Sequence, residues 1–247
     1  MLTPVQRNFD DIQEPRFYKS PLFAVSIVTA ILLATLPFRW SIALVTLSLS
    51  GIVKFPHHLP KSLLYEVAIA DLIVRSWLTK KLPWLNQDWW HEIVPGLVLG
   101  GIPLENYNHL QQLKERGIDA VYAILEDYEA NSQTFCSAPV LENDWKEAGI
   151  AYYRLSCEDM KAMSLKDLMK AIEWIHQQIL SGKKVYVHCK AGRGRSAMVV
   201  AAYLMRYGAM SLKEAIQSLL AKRSVVTFRP CQFSRLEEFE SITVAQR

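Results

Sequence analysis

Residues 188 to 196 read His188-Cys189-Lys190-Ala191-Gly192-Arg193-Gly194-Arg195-Ser196, a cysteine and an arginine six positions apart with two glycines between them. These residue types at this spacing could hold and attack a phosphate ester. A Gly-rich loop that runs into a helix points several backbone N–H groups at one centre, and the helix dipole adds positive potential there. The same field favours the thiolate of Cys189, which is the nucleophilic form. Arg195 supplies a planar fork for two phosphate oxygens. Gly192 and Gly194 permit backbone angles and close approach that a side chain would block. Ser196 can donate to the cysteine sulfur and help it leave, and His188 is placed to orient the loop from beneath. With Arg195 and the loop amides (Lys190 to Gly194) holding the phosphate charge, neither a metal nor a cofactor is required. Lys190 and Arg193 add positive charge that would suit a multiply phosphorylated headgroup.

A cysteine route needs a proton donor for the leaving alkoxide. Arg154-Leu155-Ser156-Cys157-Glu158-Asp159-Met160 follows an apolar run and precedes a helical one. Strand ends of this kind carry site residues in open α/β sheets. Asp159 is the candidate acid, with Glu158 the near alternative and Asp167 a distant one.

Alternation of apolar runs and amphipathic segments from about Trp84 onward surrounds these residues and indicates an α/β layer fold. Strands are expected at Ile93–Leu99, Ala120–Leu125, Tyr152–Leu155 and Lys184–His188. Helices are expected at Leu104–Arg116, Leu165–Leu180, Arg195–Tyr207, Leu212–Ala221 and Phe233–Ile242. Ser164 with Asp167, and Ser211 with Glu214, have capping-box spacing. Gly117, Gly149, Gly182 and Gly208 fall at helix ends, where positive φ is useful.

The first third of the chain has a different character. Residues 1–20 are polar and mixed in charge, and Asp10, Asp11 and Glu14 argue against a mitochondrial transit peptide. Residues 21–53 hold two apolar runs around Phe38-Arg39-Trp40. Together they exceed the roughly 20 residues of one bilayer crossing, and each alone is short. Arg39 at a helix centre would cost about 3 kcal/mol, so a helical membrane hairpin with Arg39 and Trp40 at an interface is expected. Residues 54–83 form a basic, amphipathic linker. It carries Lys54, Lys61, Arg75, Lys80 and Lys81, which place that flank on the cytoplasmic side. Its Leu63–Leu78 stretch reads as an interfacial or docking helix, with Asp71 and Arg75 able to pair at i,i+4. Pro83 marks a boundary before the domain at 84–247.

Of the 28 Lys/Arg and 24 Asp/Glu, residues 1–83 carry nine and five, so the net +4 belongs to this third. The remaining nineteen of each sign cancel, and no basic stripe with interleaved aromatics points to nucleic acid. Four cysteines (136, 157, 189, 231) show neither a CxxC pair nor a regular spacing, which argues against zinc or a disulfide framework. A thiolate enzyme needs a reducing compartment, so the catalytic part is expected on the cytoplasmic or an equivalent side.

The string His188-Cys189 through Arg195-Ser196 resembles the signature of the cysteine-dependent protein tyrosine phosphatase superfamily. The likeness extends to Asp88-Trp89-Trp90-His91, Leu97 to Leu104, Glu126-Asp127-Tyr128-Glu129, Trp145-Lys146, Tyr153-Arg154-Leu155, Asp159-Met160, and Arg223-Ser224 through Arg229-Pro230 with Gln232. These stretches, covering about 84 to 240, are similar to the mitochondrial PTP-like phosphatases that act on phosphatidylglycerophosphate. That resemblance implies a dual-specificity phosphatase fold with a central, mostly parallel sheet flanked by helices. It implies phosphomonoester hydrolysis, lipid phosphate in particular, a shallow basic site, Asp159 as the acid, and supporting roles for Glu129 and Arg229. Three functions stand side by side: a membrane-anchored lipid phosphatase, a phosphoinositide or phosphoprotein phosphatase, and an inactive phosphate-binding module that recruits partners to a membrane. Retention of Cys189, Arg195, Ser196 and an acid speaks against the third, and Lys190-Ala191-Gly192 with Ser196 speaks against a rhodanese-type transferase.

Overall fold

The computed structural model describes residues 61–81, 88–133 and 138–245. The polar segment 1–20 and the expected hairpin 21–53 lie outside the described residues, as does Cys136. Elements in chain order are α1 (Lys61–Lys81), β1 (Trp90–Val94), β2 (Leu97–Gly100), a 3-10 turn (Glu105–Tyr107), α2 (His109–Glu115), β3 (Ile118–Ile124), α3 (Asp127–Asn131), α4 (Glu142–Glu147), β4 (Ala151–Leu155), α5 (Leu165–Leu180), β5 (Lys184–His188), α6 (Arg195–Tyr207), α7 (Leu212–Lys222) and α8 (Pro230–Ala245).

Among the described residues the strands make one five-stranded sheet in the order β1-β2-β5-β3-β4. β1 and β2 are antiparallel, while β2–β5, β5–β3 and β3–β4 are parallel. β5 therefore lies at the centre, and the loop that follows it opens at the carboxyl ends of its parallel neighbours. Its Val185, Tyr186, Val187 and His188 are all buried, and so are six of the seven residues of β3. Such runs are apolar rather than alternating because both faces of a parallel sheet are covered. Alternation then sorts the side chains by face. Val98, Val121 and Tyr186 pack with Leu113 of α2 and Trp145 of α4 in one cluster. α5 and α6 pack against β3 and β5. α6 is wrapped by α5, α7 and α8, and eleven of its thirteen residues are buried, so it reads as apolar all round rather than as a stripe.

The expected strand Ile93–Leu99 is two strands. Pro95-Gly96 turns the chain, with Gly96 at φ 82°, and β1 doubles back on β2. The expected helix Leu104–Arg116 is broken at Asn108, whose φ of 56° ends the 3-10 turn and starts α2. Two short helices, α3 and α4, lie where no element was expected. Ser164 and Ser211 cap α5 and α7 as their spacing implies. Gly117, Gly149 and Gly182 take positive φ, but at the end of α6 that role passes to Ala209, φ 54°, and not to Gly208.

The chain divides into two compact units, Met1–Val67 and Ala68–Arg247. The second unit thus reaches back upstream of Pro83 and takes in most of α1. Within it Ile69 and Leu72 are buried, and Asp71 pairs with Arg75 at 2.6 Å. No helix among the described residues is long and apolar enough to cross a membrane.

Candidate active site

β5 delivers His188 and Cys189 to the centre of the sheet, and α6 begins six residues later at Arg195. Residues 189–194 must turn within that span. Gly192 takes φ 67°, and a Cβ there would overlap the Gly100 backbone at the end of β2. The loop carbonyls are tied outward. Ile102 N–H donates to Lys190 O at 3.0 Å. Arg223 donates through Nε to Gly192 O at 2.8 Å and through Nη2 to Ala191 O at 3.2 Å. In a trans peptide the N–H points opposite to the carbonyl. Engaging three successive carbonyls therefore leaves the amides of residues 191, 192 and 193 to face away from those partners, where they could hold an anion. Arg223 is buried, its Nη1 reaches Asp88 O and His91 Nδ1, and burial pushes its guanidinium down to about 10. Burial and the nearby Arg223 charge also push His91 down to about 4, so its imidazole is neutral.

Cys189 is 3% exposed. Burial alone would raise its thiol, but the Arg195 charge and hydrogen bonds from Ser196 outweigh it, and the thiol titrates below its ordinary range. Ser196 Oγ donates to Cys189 Sγ at 3.2 Å. His188 is buried, with Nδ1 3.2 Å from Cys189 O, and burial pushes it down to about 4, so it is a neutral support beneath the loop.

Arg195 is held in two-pronged fashion by Glu129: Nη1 to Oε2 is 2.7 Å and Nη2 to Oε1 is 3.0 Å. Its Nη1 also donates to Cys157 O at 2.9 Å. Burial works against the charge, but Cys189, Glu129 and Asp159 together raise the guanidinium above its usual value. Glu129 is fully buried in the first turn of α3, where its Oε2 accepts from Glu126 N–H at 3.0 Å. Glu126 in turn accepts from Asp159 N–H at 2.9 Å. The 126–129 capping box thus holds both the Arg195 guanidinium and the backbone of the candidate acid.

Asp159 bridges two site cations. Oδ1 lies 3.1 Å from Arg195 Nη2, and Oδ2 accepts a hydrogen bond from Lys190 Nζ. Burial would raise its carboxyl, but Arg195 and Lys190 win and hold it below the usual carboxylate range. The alternatives are placed elsewhere. The Glu158 side chain is exposed and contacts none of the loop groups, and Asp167 is engaged with Ser164 at the start of α5. Arg229 does not reach the phosphate loop. Its guanidinium lies 3.4 Å from Met160 Sδ, and its N–H donates to Gln232 Oε1. Gly194 begins α6 against Gln232, whose Oε1 would be 3.0 Å from a Cβ at that glycine.

The sheet and α3 therefore bring together Cys189, Lys190, Arg195, Ser196, Asp159 and Glu129. Three residues here were not singled out from the sequence for the roles they have. Arg223 and Gln232 bear on the loop from a segment whose only signal is its resemblance to related chains. Asp71 pairs with Arg193 at 3.0 Å from 122 positions upstream, and no local spacing could announce that. Among the described residues no cluster of three or more His, Cys, Asp or Glu is arranged to hold a metal ion.

Residues 103–242 match the family model described as dual specificity phosphatase, catalytic domain. The mouse protein named phosphatidylglycerophosphatase and protein-tyrosine phosphatase 1 is 36% identical over 162 residues, which are 65% of this chain and 81% of that protein. Phosphatidylglycerophosphate phosphatase PTPMT2 of Arabidopsis thaliana is 32% identical over 156 residues, 62% of this chain and 64% of that protein. A crystal structure of PTPMT1 in complex with PI(5)P superposes with a TM-score of 0.58 at 34% identity, covering 64% of this chain and 99% of that one. The family match spans more than half of the chain and contains the cysteine loop, Glu129 and Asp159. The chain is thus a phosphatase acting on phosphomonoesters, and it belongs to the dual-specificity phosphatase family, among relatives named for phosphatidylglycerophosphate.

Proposed function

We propose that this protein hydrolyses a lipid phosphomonoester, phosphatidylglycerophosphate first among candidates, through a thiophosphate intermediate on Cys189. The observation that carries the mechanism is the thiol held in ionisable form between Ser196 and Arg195, with Asp159 placed across the same site. An incoming phosphate dianion takes the Arg195 fork and the loop amides and displaces Asp159 from Arg195. Its charge also offsets the two cations that keep the Asp159 carboxyl low, so Asp159 gains affinity for a proton as substrate binds. Cys189 Sγ attacks phosphorus, the P–O bond to the alcohol breaks, and Asp159 delivers the proton to the departing oxygen. Water then attacks the thiophosphate, Asp159 takes a proton from it, and the thiolate leaves stabilised by Ser196. Glu129 acts throughout by keeping the guanidinium plane fixed.

The lipid assignment is supported by the names of the relatives from mouse and Arabidopsis. The structural neighbour bound to PI(5)P supports a phosphoinositide as the second reading. The N-terminal apolar runs support a membrane location, where an anchor raises the local concentration of lipid substrate. The test is phosphate release from short-chain phosphatidylglycerophosphate, monophosphorylated phosphoinositides, a phosphotyrosine peptide and an aryl phosphate. Cys189→Ser is the blank, expected to lose three or more orders of magnitude, roughly the scale on which removing a nucleophile acts. A kcat/KM highest on phosphatidylglycerophosphate supports the reading, and a higher value on the peptide removes it. Release of the full chain from membranes by carbonate would remove the integral anchor.

A further inference from the structure

α1 contributes a carboxylate to the phosphate loop. Asp71 Oδ2 accepts from Arg193 Nη2 at 3.0 Å, while its Oδ1 accepts from Arg75 Nε at 2.6 Å. Both Asp71 and Arg193 belong to the second compact unit. The seat is packed as well as charged. Leu72, the next residue, is buried against Gly101, where a Cβ would come within 2.7 Å of its Cδ2 and 3.4 Å of Lys190 O. Arg193 is fixed at its backbone too, since its carbonyl accepts from Thr227 N–H at 3.0 Å. The three loop cations are thus matched to three carboxylates of different kinds. Glu129 is a permanent, fully buried partner of Arg195. Asp159 stands on the loop after β4 and must release Lys190 and Arg195 when a phosphate enters. Asp71 stands on a packed helix, and nothing in phosphomonoester hydrolysis requires it to let go.

That difference bears on what the site can bind. Lys190 and Arg193 are the two loop cations beyond Arg195, and a second phosphate on a headgroup would need one of them. Lys190 keeps Glu129 Oε1 at 3.5 Å when Asp159 turns to the leaving group. Arg193 is not available either, because its partly desolvated pair with Asp71 would have to be broken first. We propose that Asp71 is a specificity-determining residue, which by pairing with Arg193 sets the site to select headgroups with one phosphomonoester over headgroups with two or more. The proposal rests on phosphomonoester hydrolysis at Cys189 and not on which lipid is the substrate.

The full chain is assayed on an aryl phosphate and on short-chain phosphoinositides with one, two and three phosphomonoesters. Asp71→Asn is expected to lower KM for the bis- and trisphosphates about three- to tenfold, the reach of one charge-assisted pair. On the aryl phosphate and the monophosphate, kcat/KM should move less than about twofold, since the pair is not used there. The gain should shrink with added salt and vanish in Asp71→Asn/Arg193→Gln. Asp71→Glu should restore the wild-type preference. An Asp71→Asn enzyme with an unchanged ratio of mono- to polyphosphate activity, or with an equal loss on every substrate, overturns the proposal. Arg193→Gln alone provides a check that does not depend on the helix variant folding. It should leave the ratio nearly unchanged, because Arg193 is already committed. A selective rise in KM for the polyphosphates in that variant would mean that Arg193 serves the substrate, and the proposal fails. Loss of wild-type turnover on the aryl phosphate would instead remove the enzyme reading itself, a separate outcome.

Discussion

Cys189 and Cys157 share one neighbourhood and differ in chemistry. Arg195 and Ser196 draw the first thiol down against its burial, whereas burial pushes the second up to about 11 despite the same arginine. Iodoacetamide should therefore modify Cys189 before Cys157, with a half-maximal rate at a pH below the ordinary thiol value of about 8.5. Below that midpoint the thiol is protonated and inert, and above it the thiolate reacts. Ser196→Ala removes a donor to the sulfur and should move the midpoint up, measured by mass-spectrometric labelling against pH. An unchanged midpoint would show that Ser196 does not stabilise the thiolate. Much of this was legible in the string itself, because Cys189, Arg195 and Ser196 are seven positions apart or fewer and a single strand–loop–helix places them. Glu129 and Asp71 were not legible from spacing. Each reaches the loop across the fold, and carboxylates are too common for their mere presence to mark a partner.

The segment between β4 and α5 carries Asp159, and its backbone is held by the side chains of Glu126, Arg195 and Gln232 and not by a ladder. Asp159→Asn should slow alkyl phosphates, whose leaving alkoxide needs a proton, by roughly a hundredfold or more. It should slow an aryl phosphate with an acidic phenol far less. The variant should also lose the fall of kcat with rising pH, since that limb reports the deprotonation of the acid in the substrate complex. An equal loss on both substrates would assign the proton to another group. α5 and α7 were readable from long periodic runs and from their capping residues, and α6 from its unbroken apolar run Ala197 to Met205. What escaped were α3 and α4, five and six residues long. So short a helix completes too few turns to show a face. The β1–β2 turn escaped because Pro95-Gly96 interrupts one continuous apolar run, whose hydrophobicity looks the same whether the chain runs on or doubles back.

At the scale of the molecule, the stretch that precedes the sheet is part of the enzyme. Ile69 and Leu72 are buried in the unit that begins at Ala68, and burial of a side chain of that size is worth about 1.5–3 kcal/mol. A fragment beginning at residue 84 should still form the sheet but melt several degrees below one beginning at residue 68. It should also show the same relaxed preference toward polyphosphates as Asp71→Asn. Coincident melting curves for the two fragments would mean that α1 adds no stability.

α6 is buried along nearly its whole length, and its first two residues are Arg195 and Ser196. The candidate phosphate-binding groups are therefore the leading edge of the central helix and cannot come loose while that helix stays packed. Regions of a protein open separately only where few buried contacts hold them. In a urea titration, loss of turnover on an aryl phosphate should thus coincide with loss of the tryptophan signal from the core, in one cooperative step. Turnover on an alkyl phosphate should fail earlier, because its departing alkoxide, unlike an acidic phenol, must also receive a proton from the Asp159 segment. Between those two curves should lie a window of denaturant in which the enzyme has become selective for leaving groups that carry their own acidity.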